Sequence, residues 1–398
     1  MKRLRIGIAG LGSASRHIIP QMAHVPEVEL AAGADVRRSA AEEFQQKHGC
    51  DTYPSVAAMC ESGKIDAVWI ATPSVFHADH TVTAADCGVH VIVEKPMAVT
   101  LNDADRMIAA ADRNRVKLLQ GHSKIYGPAL QKIREVVCSG ILGRVIQVNS
   151  WVSNDWLQRP RLAAEVDTQS GGGVCLRQGP HQVDIVRYLG GGLVKSIRAI
   201  TGRADRNFDT EGDYTAFLEF ADGTPATMAF NGYGYFDAAE LTWGIGESNT
   251  RKYDVNAYSR KNRLTGPIGA DAKYFKPGTT EEIVVHEPQG QAFFGLTVVG
   301  CERGVIRQSP HGIFVYSDAG REEIRCADDP GHAIPELREL YHSVTKNRPT
   351  FLDGRWGKAT LEVCLAMLQS SNERREVTLA HQIACTEVED TGAYYGLN

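Results

Sequence analysis

The chain has 398 residues, more than one hydrophobic core usually serves, so two domains are expected. Hydrophobic residues at 43% and charged residues at 23% suit an ordinary soluble globular protein. A net charge of −5 argues against a nucleic acid or anionic membrane held by bulk electrostatics, but leaves room for a local basic patch against a small anion.

The first 120 or so residues alternate short apolar runs with amphipathic stretches. "LRIGIAG" precedes a helical segment from Ser15 to Ala23, and "VELAAGAD" precedes "SAAEEFQQKHG". "DAVWIATP" precedes "HADHTVTAADCG", and "HVIVEKP" precedes "LNDADRMIAAADRN" and "VKLLQGH". This alternation predicts βαβ units on a parallel sheet, with a ligand crevice at the carboxyl ends of the strands.

A helix is expected from Pro128 to about Ser139. Alternating patterns follow in "VIQVNSWVS", "VKSIRAITGR", "YTAFLEFADG", "TPATMAFNGYG", "GLTVVGCERGVIRQ" and "GIFVYSD". With hairpin turns at "ADGT" and "SDAGR" they predict a largely antiparallel sheet. "IPELRELYHSV" and "GKATLEVCLAMLQSSNERR" are expected as two late helices. Residues 244–290 give no assignment, and the tail is polar without clear period. The expected fold is α/β: an N-terminal Rossmann domain over 1–123, a C-terminal α+β domain with an open sheet over 124–380, and a polar tail over 381–398.

The nine cysteines form no C-x-x-C pair and no zinc-type spacing, so they read as reduced thiols, with Cys175 as a small buried hydrophobe. The N-terminus enters a strand directly, and no run of about 18 apolar residues occurs. The expectation is a cytoplasmic protein with no metal, no nucleic-acid partner and no membrane partner.

"IGIAGLGSAS" places Gly10 and Gly12 between a strand and a helix, with Ser15 where a third glycine would stand. Gly10 suits the tight turn. Gly12 and Ser13 suit backbone approach to a pyrophosphate at the helix N-terminus. Asp35 ends the second strand and can accept hydrogen bonds from a ribose 2′-hydroxyl, which favours NAD. Arg37 and Arg38 stand near enough to leave NADP open.

"IGIAGLG", "DAVWIATPSVFHADH", "VIVEKPMAVT", "GILGRV", "SGGGV", "HQVD" and "RPTFLDGRWGKATLEVCLAML" together resemble the glucose–fructose oxidoreductase, inositol dehydrogenase and MocA family, in order and over nearly the whole chain. The resemblance implies an NAD(P)-dependent oxidoreductase of sugars, cyclitols or dihydrodiols. Glu94-Lys95-Pro96 is its most specific motif. Lys95, locked by Pro96 at a strand end, suits a proton shuttle or a donor to a substrate hydroxyl. The resemblance also puts Thr72, Pro73 and His77 near the nicotinamide half of the cofactor.

In "GGGVCLRQGPHQVDIVRYLGG" a helix is expected from about Pro180 to Leu189, with Gly190 as its cap. The resemblance gives His181 the substrate hydroxyl proton, with Asp184 on the same side of the helix to orient it or to cap a neighbouring loop. Many relatives carry aspartate where this chain has Arg177. Arginine stays protonated and forks onto carboxylates, so Arg177 suggests an anionic substrate. Arg159 and Arg161 lie just upstream with Trp156, unless they serve only to pair with Glu165 or Asp167.

"QRPR", "EVDT", "HQVDIVRYLGGG", "EGDY" and "NGYGYFD" resemble the phthalate 4,5-cis-dihydrodiol dehydrogenase branch. That implies oxidation of a carboxylated dihydrodiol to 4,5-dihydroxyphthalate, with Arg177 and Arg159 on carboxylates. The alternatives are a sugar, sugar-acid or cyclitol dehydrogenase acting on a polyol, and a non-catalytic nucleotide-sensing regulator. An open sheet face suggests a homo-oligomer, dimer or tetramer.

Overall fold

The structure, a computed structural model, describes residues 3–159, 161–247 and 290–385. These divide into two compact units. Unit one holds the described chain up to His122 and returns for His332–Leu361; unit two holds Ser123–Gly331 and residues 362–385.

Unit one is built on β1 (Leu4–Ala9), β2 (Val28–Ala34), β3 (Asp51–Tyr53), β4 (Ala67–Ile70), β5 (His90–Val93) and β6 (Leu118–Gln120). Their order is β3-β2-β1-β4-β5-β6, and every pairing is parallel. β4 is buried along its whole length, which is why "AVWI" reads as a continuous apolar run and not as an alternation. The helices between strands are α1 (Ser13–Met22), α2 (Arg38–His48), α3 (Val56–Glu61), α4 (His77–Asp86) and α5 (Leu101–Asn114).

Unit two opens with α6 (Pro128–Cys138), and α7 (Gly173–Arg177) and α8 (Gly179–Leu189) follow. Its sheet comprises β7 (Val145–Ser153), β8 (Val194–Gly202), β9 (Asp213–Phe220), β10 (Pro225–Asn231), β11 (Leu296–Cys301), β12 (Gly304–Ser309), β13 (Gly312–Ser317), β14 (Gly320–Arg325) and β15 (Val377–Thr378). The order is β14-β13-β12-β11-β7-β10-β9-β8-β15, antiparallel throughout except for the β7–β10 pair. Both expected hairpins are present, at β9–β10 and β13–β14. The expected fold, a Rossmann sheet followed by an open and mostly antiparallel one, is therefore the observed fold.

Two late helices follow β14, α9 (Ala333–Thr345) and α10 (Gly354–Glu373). The sequence predicts a second domain without a break from 124 to 380. The structure instead returns residues 332–361 to unit one. The cause is apolar: Ala333, Ile334, Leu337 and Leu340 of α9 are buried in one core with Ile6, Ile8, Trp69, Ile18 and Met22. Strand β3 and helix α3 had no expectation in the sequence, because "DTYPSVAAMCESG" is too short to show a period.

In the expected polar tail, Gln382 accepts a hydrogen bond from Arg187 Nε and donates to Glu362, so its start is docked. Residues 386–398 of that tail, and 248–289 of the unassigned segment, lie outside the described residues. No helix among the described residues is long and apolar enough to cross a membrane.

Candidate active site

In unit one the chemistry gathers at the carboxyl ends of the strands. Gly10 follows β1 with φ +91°, and a Cβ there would lie 2.7 Å from Ala71 O. Only glycine fits that turn. Gly12 is the N-cap of α1 and brings no side-chain cap, so the helix begins on bare backbone at Ser13. Ser15 replaces the third glycine without cost, since its buried hydroxyl donates to Gly12 O at 2.8 Å.

Asp35 stands just past β2. Its Oδ2 accepts Leu11 N at 2.9 Å and Arg37 Nη2 at 2.9 Å, while Oδ1 accepts Arg37 N at 2.8 Å and Arg37 Nε at 3.0 Å. Burial alone would raise the Asp35 carboxyl, but these donors outweigh it and hold the group below its ordinary value. Four accepted bonds use about all the lone pairs a carboxylate has. Arg38 plays no part here; it pairs with Glu42 on the exposed face of α2.

Thr72 and Pro73 follow β4, and Lys95 and Pro96 follow β5 across a cis peptide bond. His77 ties the two loops together. Its Nε2 lies 2.8 Å from Thr72 O and its Nδ1 2.9 Å from Pro96 O, and the ring is buried. His77 thus shapes the loop ends through backbone carbonyls. Thr72 Oγ1 meets His80 Nδ1 at 3.0 Å, and burial lowers the His80 pKa.

Glu94 is buried, with Trp69 Nε1 donating to it at 3.3 Å and His122 Nδ1 lying 3.4 Å from its Oε2. His122 in turn stacks on His332 at 4.0 Å between ring centroids. Glu94 therefore anchors Trp69 and His122, a role the strand-end position did not reveal. Lys95 is half-buried.

In unit two α7 and α8 carry the expected substrate residues. The α7 N-terminus is held by Glu211, whose carboxylate accepts Cys175 N at 2.9 Å, Thr168 Oγ1 at 2.7 Å and Thr210 Oγ1 at 3.0 Å. Gly173, at φ +80°, leaves the space Glu211 needs, since a Cβ would lie 2.1 Å from its Oε1. Cys175 is fully buried, as its small apolar character suggested, and burial drives its thiol well above the ordinary value.

Helix α8 starts one residue before the expected Pro180 and is buried along its length. Gly190 is not in the left-handed region; it is glycine because a Cβ would lie 2.2 Å from the Phe220 ring. His181 is 3% exposed and its ring lies 5.1 Å from that of Phe294. Asp184 is buried too and accepts Ser123 Oγ at 2.9 Å.

The arginines are already engaged. Arg177 Nη2 lies 3.1 Å from Glu165 Oε1, and Arg159 Nε donates to the fully buried Asp155 at 2.8 Å. Arg159 also reaches Glu247 at 3.5 Å. Arg161 sits over Trp156, its Cζ 4.2 Å from the ring centroid, and its Nε donates to Trp156 O at 2.9 Å. Trp156 itself is 2% exposed, so it meets other groups through Arg161 more than through an open face. Sequence reasoning set Arg161 beside Arg159 and left Glu211 and Ser123 outside the site.

A six-stranded parallel sheet with a glycine turn, an uncapped helix start and a strand-end carboxylate defines a dinucleotide-binding protein. The family follows from comparison. Residues 4–122 match the oxidoreductase family with NAD-binding Rossmann fold, and residues 130–242 match the GFO/IDH/MocA C-terminal domain. A Comamonas testosteroni protein named 1-carboxy-3-chloro-3,4-dihydroxycyclo hexa-1,5-diene dehydrogenase is 30% identical over 96% of this chain and 98% of its own. Myo-inositol 2-dehydrogenase of Thermotoga maritima is 27% identical over 96% of this chain and 100% of its own. A solved Bordetella bronchiseptica RB50 protein described as a dehydrogenase superposes with TM-score 0.87 at 36% identity, over 95% of this chain and 100% of that one. The chain belongs to the GFO/IDH/MocA oxidoreductase family and binds NAD through its first domain.

Proposed function

We propose that the protein is an NAD-dependent dehydrogenase acting on a secondary alcohol of a carboxylated ring, with a carboxylated cis-dihydrodiol as substrate. The observation that carries the carboxylate is the arginine group of unit two, where Arg159, Arg161 and Arg177 meet Asp155, Glu165 and Glu247. The Comamonas relative, whose name specifies a carboxylated dihydroxycyclohexadiene, supports the same reading. The phthalate 4,5-cis-dihydrodiol is the member of this class that the sequence resemblance favours.

The residues of unit one fit the cofactor. Gly10 and Gly12 leave backbone room at a helix start, Ser13 begins the helix, and Asp35 faces the ribose. Thr72 and Pro73, shaped by His77, and Lys95, beside the buried Glu94, border the nicotinamide half. When bound, NAD supplies the acceptor for the carbinol hydrogen. His181 or Lys95 takes the hydroxyl proton, and Asp184, fixed by Ser123, holds the helix that carries His181. The ketone so formed tautomerises to an aromatic catechol, which draws the reaction forward. Arg159 and Arg177 add positive charge that favours a carboxylated substrate.

Measuring NADH formation over a panel of carboxylated dihydrodiols, cyclitols and sugar acids tests the reading. Turnover confined to cyclitols or sugars, as the inositol relative would suggest, overturns it. Tight NAD binding without turnover of any alcohol would instead favour a nucleotide-sensing regulator.

We propose self-association as well. Trp151, Ile200 and Phe217 share one sheet face and stay 42%, 55% and 49% exposed. Elution from gel filtration at the mass of a single chain would refute it. All nine cysteines are free, which suits the cytoplasm; recovery of the native protein in an oxidising compartment would count against that placement.

A further inference from the structure

We propose that Arg161, seated on Trp156, is the anchor for the ring carboxylate of the substrate. This rests on the carboxylated-ring reading above and assigns it to one guanidinium.

The three arginines differ in what already faces them. Arg159 has Asp155 at 2.8 Å, and Arg177 has Glu165 at 3.1 Å. For Arg161 the nearest carboxylate oxygen is the same Glu165 Oε1, at 3.8 Å, and that oxygen lies closer to Arg177. Glu165 is committed further, since its Oε2 accepts Leu162 N at 2.9 Å. Among the described residues Arg161 donates a hydrogen bond only through Nε, to Trp156 O, which leaves the Nη1/Nη2 fork for a ligand.

The seat suits that task. Nε is fixed by a backbone carbonyl and Cζ sits over an indole 4.2 Å from its centroid, so the guanidinium is held at two points before anything binds. A planar fork matches a carboxylate with two parallel hydrogen bonds. The side chain is only 13% exposed, so little water competes there. Burial lowers the Arg161 pKa to about 9, the mark of a cation with too little compensation, which an arriving carboxylate would supply. Trp156 is held in turn, its backbone N donating to Asn154 Oδ1 at 3.0 Å.

The test is calorimetric titration of the full-length protein, with NAD present, against benzoate and its neutral isostere benzamide. Benzoate is expected to bind at least tenfold more tightly than benzamide, and Arg161→Gln to erase that difference. Arg161→Lys, which keeps the charge but not the fork, should fall between. Arg159→Gln and Arg177→Gln should cost benzoate less than Arg161→Gln does. A thermal melt checks folding, and if Arg161→Gln does not fold, the lysine variant decides. The proposal is overturned if the wild type does not bind benzoate, or if benzoate affinity in the folded Arg161 variant stays within about twofold of wild type. The two readings fail separately. Benzoate held through Arg161 with no turnover of any carboxylated dihydrodiol removes the proposed reaction alone. Turnover with an unchanged KM in Arg161→Gln removes the anchor alone.

Discussion

Glu165 Oε1 lies 3.1 Å from Arg177 Nη2, and Glu165 is 5% exposed. An anion so placed is costly to leave without its nearest cation. Arg177→Ala should therefore destabilise the fold by about 1–3 kcal/mol, less than a fully buried pair because the Arg177 side chain keeps some solvent contact. Urea unfolding with an unchanged m-value would measure it. A fully stable Arg177→Ala protein would mean that Glu165 does not depend on this arginine.

Asp35 and Arg37 set a second prediction, on coenzyme choice. Arg37 offsets the negative charge that would otherwise repel a 2′-phosphate. Arg37→Ala should lower kcat/KM with NADP by roughly tenfold while NAD activity is kept. Asp35→Asn should raise the KM for NAD. Its stability effect has a definite pH sign. The Asp35 carboxyl is held below its ordinary value of 3.8, so its contribution is fully present above that value. It disappears as pH falls through the lower folded value. The gap in urea midpoint between wild type and Asp35→Asn should stay constant from neutrality down to about pH 4 and close below it. A gap that widens on acidification would contradict the sign.

Gly10 was legible because the turn it makes has one chemical solution. β4 and β5 were legible because burial on both faces leaves an unbroken apolar run. The return of α9 to unit one was not, because "IPELRELYHSV" shows an apolar stripe but not which sheet will cover it. The same limit hid the site's polar pairings. Arg177 looked like a carboxylate reader from its charge alone, and that it faces Glu165, twelve residues earlier, depends on how the intervening turns fold. The resemblance puts His77 near the nicotinamide half, while the link its ring makes between the Thr72 and Pro96 carbonyls depends on two loops meeting in space.

Glu211 carries a third prediction. It satisfies one backbone and two hydroxyl donors at the start of α7, the helix that ends in Arg177. Glu211→Ala strands these buried donors and should cost about 2–4 kcal/mol. Glu211→Gln keeps one acceptor oxygen and should recover part of the loss. Denaturation midpoints that rank wild type, then Gln, then Ala would agree; equal midpoints would show that the Gly171–Gly173 turn holds α7 unaided.

The last prediction separates His181 from Lys95. If His181 takes the hydroxyl proton, His181→Ala should lower kcat by about 10²–10⁴-fold. Benzoate and NAD should still bind, since the imidazole is assigned to proton transfer and not to anchoring. A substrate deuterated at the carbinol carbon should then show a full primary isotope effect, because the chemical step has become rate-limiting. Lys95→Met gives the contrast. If Lys95 only donates to the hydroxyl oxygen, its loss should raise the KM of the alcohol along with a smaller fall in kcat. The reverse pattern, a kcat collapse in Lys95→Met beside a mild His181→Ala, would move the proton to Lys95. His181 and Asp184, buried on α8 and tethered to Ser123, would then act by positioning that helix.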